Sequence, residues 1–122
     1  MSSVVPLLPM RGDAGAVTVE AAIAIAALTI VVALGIGCVF TTTMYIRCVD
    51  AARETARLAA RGATVEAAAA GQRVAPSGAR ITVQERGTHI VATVSVEVPL
   101  LPALDLTATA HAAKEPDGSD QW

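Results

Sequence analysis

The hydrophobic and polar positions divide the chain into stretches of different period. Ala21 to Ile46 is a run of about 26 residues without a charged side chain, and a helix needs about 20 apolar residues to cross a bilayer. In so short a chain nothing remains that is large enough to bury such a helix, so the run predicts a membrane span. From Arg47 to Gly71 the pattern becomes amphipathic. Val49, Ala52, Ala56, Ala59 and Ala63 recur at three- or four-residue steps and make a narrow face of small residues. Ala and Arg favour helix, and Asp50 with Arg53, and Glu54 with Arg57, stand three apart, where opposite charges support it. No proline interrupts the chain between Pro9 and Pro76. The two stretches therefore predict one continuous helix, weakest at Gly62 and stopping near Gly71, with Pro76 and Gly78 as further breakers.

Beyond Pro76 the period becomes two. In RITVQE, Ile81 and Val83 alternate with Thr82 and Gln84, and in HIVATVSVEV, Ile90, Ala92, Val94, Val96 and Val98 alternate with Val91, Thr93, Ser95 and Glu97. The intervening Arg86-Gly87-Thr88 reads as a hairpin turn. Pro99 and Pro102 break the chain again. Leu104, Leu106, Ala108 and Ala110 then alternate with Asp105, Thr107, Thr109 and His111. Three strands predict a small antiparallel sheet, which is marginal alone and needs a cover on its apolar face. The amphipathic half of the helix is the natural cover. The expected class is α+β. The expected plan is a head over 1–15, a membrane half of the helix over 16–46, an amphipathic half over 47–71, the sheet over 72–113, and a polar, disordered tail over 114–122.

Composition sharpens this picture. The chain has 122 residues, room for one small domain, and its mean hydropathy is +0.54 with one Trp, one Tyr and one Phe. Ala and Val supply the apolar content, which suits helices that approach closely. The net charge of −2 leaves no basic footprint for nucleic acid. Cys38 and Cys48, ten positions apart on one helix, would be about 15 Å apart along its axis, too far for a disulfide, and metal spacing is absent. They read as small apolar residues. His89 and His111 have no Cys or carboxylate cluster around them and read as surface histidines. No nucleophile triad, phosphate-cradling glycine loop or paired-carboxylate pattern is present, so the expectation is a non-enzyme without cofactor or metal. Leu34–Cys38 bears a faint likeness to a lipoprotein cleavage box, but Gly35 replaces the expected aliphatic residue. Arg11-Gly12-Asp13 reads as coincidence.

One position remains to be placed. Glu20 is the only charged residue between Asp13 and Arg47, and a charge within an apolar span is costly. It follows Gly15 by five residues. A short head ending in Gly15, an apolar helix with Glu20 near its start and a small sheet together resemble the type IV prepilins. Within them, GAVTVEAAIAIAALTIVVALGIG followed by AARETARLAARG resembles the TadE-like minor pilins or pseudopilins of tight-adherence (Tad, Flp-type) pilus systems. The resemblance covers about Arg11 to Gly62; the sheet half matches in layout only. It implies a type IV pilin-like fold and cleavage by a prepilin peptidase between Gly15 and Ala16, so that Glu20 becomes the fifth mature residue. It also implies assembly through Glu20 with other pilin or pseudopilin subunits and pilus assembly proteins, and a sheet domain outside the cytoplasmic membrane. Ala21 departs from the pattern, since many members place an aromatic residue after the Glu.

Charge bias argues the other way on orientation. Arg47, Arg53, Arg57 and Arg61 follow the span and only Arg11 precedes it, which by the positive-inside rule places the C-terminal part in the cytoplasm. The rival functional readings are an uncleaved single-span subunit of an envelope complex and, third, a lipoprotein modified at Cys38.

Overall fold

A computed structural model describes residues 2–4 and 11–116. Its elements, in chain order, are α1 (Arg11–Ala60), α2 (Thr64–Val74), β1 (Arg80–Arg86), β2 (His89–Val98) and β3 (Leu101–Ala113). The architecture is α+β: a long N-terminal helix, packed by its later turns on a three-stranded antiparallel sheet of order β1-β2-β3. The chain divides into an N-terminal unit ending at Ile36 and a C-terminal unit starting at Gly37.

The N-terminal unit is helical from Arg11 onward, and its described side chains are exposed. The expected head over 1–15 therefore overlaps the helix. Residues 11–15 already belong to α1, because nothing in Arg-Gly-Asp-Ala-Gly breaks a helix outright and Asp13 favours its first turn. Residues 5–10 of the head lie outside the described residues.

In the C-terminal unit the helix does not run to Gly71 as one rod. α1 ends at Ala60, and Gly62 takes a φ of +87°. The Gly62 N–H donates to the Ala59 carbonyl at 3.0 Å and the Ala63 N–H to the Leu58 carbonyl at 3.3 Å. That pair of bonds is a Schellman motif, with glycine at the left-handed position. The chain turns and restarts as α2, which ends with the Ala75 N–H on the Gly71 carbonyl and Pro76 following. The expected 47–71 helix is thus two helices, because a left-handed glycine satisfies the last carbonyls of α1 and redirects the chain.

The strands follow the alternation. β1 and β2 join through the turn at Gly87, and Thr82, Thr93 and Thr109 line up across the sheet as register partners. β3 starts earlier than expected, at Leu101, with Pro102 inside it. The register jumps there: Glu97 pairs with Asp105 but Val98 with Leu101. An irregularity of this kind lets a residue without an N–H sit in a strand.

Two apolar clusters fill the space between sheet and helices. One joins Met44, Cys48, Ala51 and Ala52 of α1 with Ala75, Ala79, Val94, Val96 and Ala108. The other joins Ala59, Ala60 and Ala67 with Ile90. Ile90, Ala92, Val94, Val96 and Val98 are all buried, so the expected inner face of β2 and its helical cover are both present. The tail expected to be disordered from Lys114 is tied at its start. The Lys114 N–H donates to the Thr88 carbonyl at 2.8 Å and the Glu115 N–H to the Ala60 carbonyl at 3.1 Å, at the C-terminal end of α1. Residues 117–122 of the tail lie outside the described residues.

Candidate membrane helix and assembly surface

The candidate site is the apolar stretch of α1 with Glu20 near its start. Val17, Val19, Ile23, Ile25, Leu28 and Ile30 are exposed, as are Val39, Phe40, Tyr45 and Ile46 farther along, while Met44 is buried. Consecutive positions such as Ile30, Val31 and Val32 point to different sides of a helix, yet all are more than half exposed. A surface of this kind favours an apolar solvent over water. α1 is long and apolar enough to cross a membrane once.

Its polar side chains are adapted to that setting. The hydroxyls of Thr18, Thr29, Thr41, Thr42 and Thr43 each donate to the carbonyl four residues back, at 2.8–2.9 Å. Hydroxyls satisfied within their own helix carry little penalty in hydrocarbon. Glu20 has no such arrangement. It is exposed, and among the described residues no ion pair holds it.

Gly15 and Ala16 stand in the second turn of α1, and the space beside Gly15 is open. The first four N–H groups of a helix have no intrahelical partner, so the backbone at Gly15 is where the hydrogen-bond ladder of α1 begins. A glycine there lowers helix propensity by about 1 kcal/mol against alanine. Ala16 and Glu20 stand four residues apart, on one face of the helix.

Three of the four arginines after the span have partners within the C-terminal unit. Arg47 Nε donates to the Val74 carbonyl at 3.2 Å. Arg57 pairs with Glu54 at 2.9 Å, and Arg61 with Glu115 at 3.7 Å. The expected pair of Asp50 with Arg53 is not formed. Cys38 is exposed and Cys48 is buried, both as free thiols. His89 and His111 are exposed on the outer sheet face, as diagonal neighbours on β2 and β3. Among the described residues no group of three His, Cys, Asp or Glu side chains gathers as a metal site.

The buried face of α1 differs from the expected one. Ala52, Ala56 and Ala59 lie on it, but Val49 and Ala63 are only half-buried. Met44, Cys48, Ala51 and Thr55 complete it instead. Their spacing is four, three and four, but Met44 lies inside the uncharged run to Ile46, where apolar residues on every side hide the helical period. Gly71 reads in sequence as a helix stop. In the fold it is buried within α2, and a side chain there would collide with Thr55 Oγ1 and come 2.8 Å from Ile81 Cδ1.

Comparison with known proteins finds a relative in Mycobacterium tuberculosis (strain ATCC 25618 / H37Rv), named apoptosis inhibitor Rv3655c. It is 45% identical to the chain over 97 residues, which are 80% of the chain and 78% of the relative. No family model matches the chain, and no solved structure matches it.

Proposed function

The chain belongs to the same family as the mycobacterial Rv3655c, and from its helix and sheet we propose that it is a minor pilin or pseudopilin of a Tad-like type IV pilus or secretion machine. The observation that carries this reading is Glu20, alone on a helix that is apolar on every side, one turn beyond Gly15–Ala16. Prepilin-peptidase cleavage after Gly15 frees an ammonium at Ala16. The Glu20 carboxylate then pairs with it, or with the same group of a neighbouring subunit. Two charges together cost less in apolar surroundings than either alone. Unwinding α1 as far as Ala16 to present the scissile bond breaks only the first bonds of the helical ladder.

The protein acts by assembly and not by catalysis. Its apolar helix waits in the cytoplasmic membrane and then packs among the helices of other pilin or pseudopilin subunits. The C-terminal unit faces outward. The arginine count opposes this orientation, but the bonds of Arg47, Arg57 and Arg61 within the folded unit give those residues a role apart from topology.

The test is the mass of the membrane-extracted protein from cells that contain a prepilin peptidase. Cleavage removes about 1.5 kDa, from roughly 0.10 kDa per residue of head, and leaves Ala16 first. Gly15→Leu retains the precursor mass. Equal masses for wild type and variant overturn the cleavage and leave an uncleaved membrane subunit.

The name of the relative supports a second reading, in which the C-terminal unit inhibits apoptosis and α1 is its anchor. The 45% identity favours carrying that activity across. Purified protein that leaves induced apoptosis in cultured cells unchanged, beside an active Rv3655c control, removes this reading.

A further inference from the structure

We propose that the hairpin joining β2 to β3 is a second membrane contact, which sets Leu100, Leu101 and Leu104 into the headgroup–acyl boundary where α1 leaves the bilayer. The proposal rests on α1 crossing a membrane and is independent of cleavage and pilus assembly.

The hairpin is apolar without being buried. Pro99, Leu100, Leu101, Pro102, Ala103 and Leu104 follow one another without a charge between Glu97 and Asp105. Leu100 is 67% exposed, Leu101 55% and Leu104 44%. Elsewhere in the sheet the large apolar side chains are buried or half-buried, so the tip is the departure.

Its place in the fold says what covers it. The core clusters set Met44 and Cys48 with Val94 and Val96, and Ala59 and Ala60 with Ile90. β2 therefore runs opposite to α1, and the hairpin leaves the sheet at the end nearest Met44. The packed stripe continues toward the membrane stretch. Gly37 and Thr41, in line with Met44 and Cys48 at steps of three and four, are half-buried, whereas Cys38, Val39, Phe40, Thr42 and Thr43 are exposed. The C-terminal unit itself begins at Gly37. Packing against α1 thus extends into the apolar run that ends at Ile46. Within the C-terminal unit, the hairpin end of the sheet therefore faces the last turns of the apolar run, Gly37 to Met44.

Charge limits the depth. Glu97 and Asp105 are register partners just above the tip, and carboxylates resist entry into hydrocarbon. Insertion stops at that row. Arg47 and Arg80 lie at the same end, Arg47 on the Val74 carbonyl and Arg80 opposite Ser95. Their guanidiniums suit the phosphates of a headgroup layer. Apolar side chains beneath a charged row suit the headgroup–acyl boundary, where apolar area is buried and charge stays outside.

The test uses the full chain in vesicles of phosphatidylcholine and phosphatidylglycerol in which part of the phosphatidylcholine carries bromine on its acyl chains. Trp122→Phe removes the native indole, and one Trp is then placed at Leu101, Val65 or Val31. Val65 is 87% exposed and lies on α2 near the Ala60 end of α1. Expected is a loss of emission from bromine and a blue shift for Leu101→Trp, with neither for Val65→Trp. Quenching at Leu101 no greater than at Val65 overturns the proposal, whether both are quenched or neither. Val31→Trp separates the two ideas. Quenching there without quenching at Leu101 leaves the membrane helix standing and removes the hairpin; quenching at neither removes both. All three sites are exposed, and a thermal melt of each variant in detergent confirms that the fold is kept.

Discussion

At the residue scale, Thr55 and Gly71 show how closely α1 and α2 approach. Thr55 Oγ1 is buried and has no hydrogen-bond partner among the described residues. The five threonines of the apolar stretch bond back along their own helix, and Thr55 does not. A buried hydroxyl without a partner costs about 1–3 kcal/mol, so Thr55→Val, which keeps the shape, is expected to raise stability by a similar amount in thermal melts. Gly71→Ala has opposing terms. Helix propensity offers about 1 kcal/mol in favour, but the added methyl collides with Thr55 Oγ1 and Ile81 Cδ1, and overpacking costs about 1–3 kcal/mol. The expected outcome is net destabilisation, partly recovered when Thr55→Ala accompanies it. A Gly71→Ala variant as stable as wild type refutes the close approach.

Cys48 adds a pH dependence at the same scale. Burial pushes its thiol up, and the neighbouring Arg47 charge partly opposes that rise. A raised folded-state value means that the folded chain holds the proton longer than the unfolded chain. The stabilisation is fully present below the ordinary thiol range, near about pH 8.5, and is lost as pH rises through the folded value. Wild-type melting temperature is therefore expected to fall more steeply above about pH 8.5 than that of Cys48→Ala. Parallel pH profiles show that the thiol is not shielded.

At the element scale, the break at Gly62 decides where the amphipathic chain goes. The Schellman bonds require a left-handed residue, and a side chain in that region costs about 1–2 kcal/mol. Gly62→Ala is expected to lose that much stability in urea unfolding of the detergent-solubilised protein. Open space around the position excludes a steric cause. An unchanged midpoint indicates that α1 continues past Ala60. The break also explains why the expected helical face was rotated. Ala63 belongs to the turn, while Met44, Cys48 and Ala51 extend the buried stripe toward the membrane stretch.

At the scale of the whole molecule, the apolar helix makes sense only with an apolar partner, either lipid or other helices. Glu20→Gln keeps the volume of the side chain and removes its charge. If the proposed pilin function holds, membrane insertion and the Gly15 cut persist, since a neutral side chain is easier to insert and the cut depends on the small residue before it. What is lost is docking beside neighbouring helices, where an unpaired Ala16 ammonium costs about 3–5 kcal/mol. The expected result is a processed, membrane-resident protein that no longer crosslinks to partner pilins or supports piliation. Normal crosslinking and piliation reduce Glu20 to an interfacial residue.

The amino-acid sequence alone determined what depends on period and composition. The uncharged run to Ile46, the two-residue alternation of β1 and β2, and the glycine at their turn each act through neighbours on the same segment, so they are readable without the fold. The spacing of Gly15, Ala16 and Glu20 is likewise a pattern along one helix, and its role is a proposal. Only the tertiary structure decided what depends on segments meeting. It turned Gly71 from a helix stop into a contact for Thr55, because that role exists only once α2 folds back along α1. It admitted Pro102 to β3 through a register shift against β2. It drew Glu115 to the end of α1 through the Ala60 carbonyl. And it set the leucines of the β2–β3 hairpin at the Met44 end of the sheet, because the direction of β2 relative to α1 is fixed by which core residues pack together and not by any order along the chain.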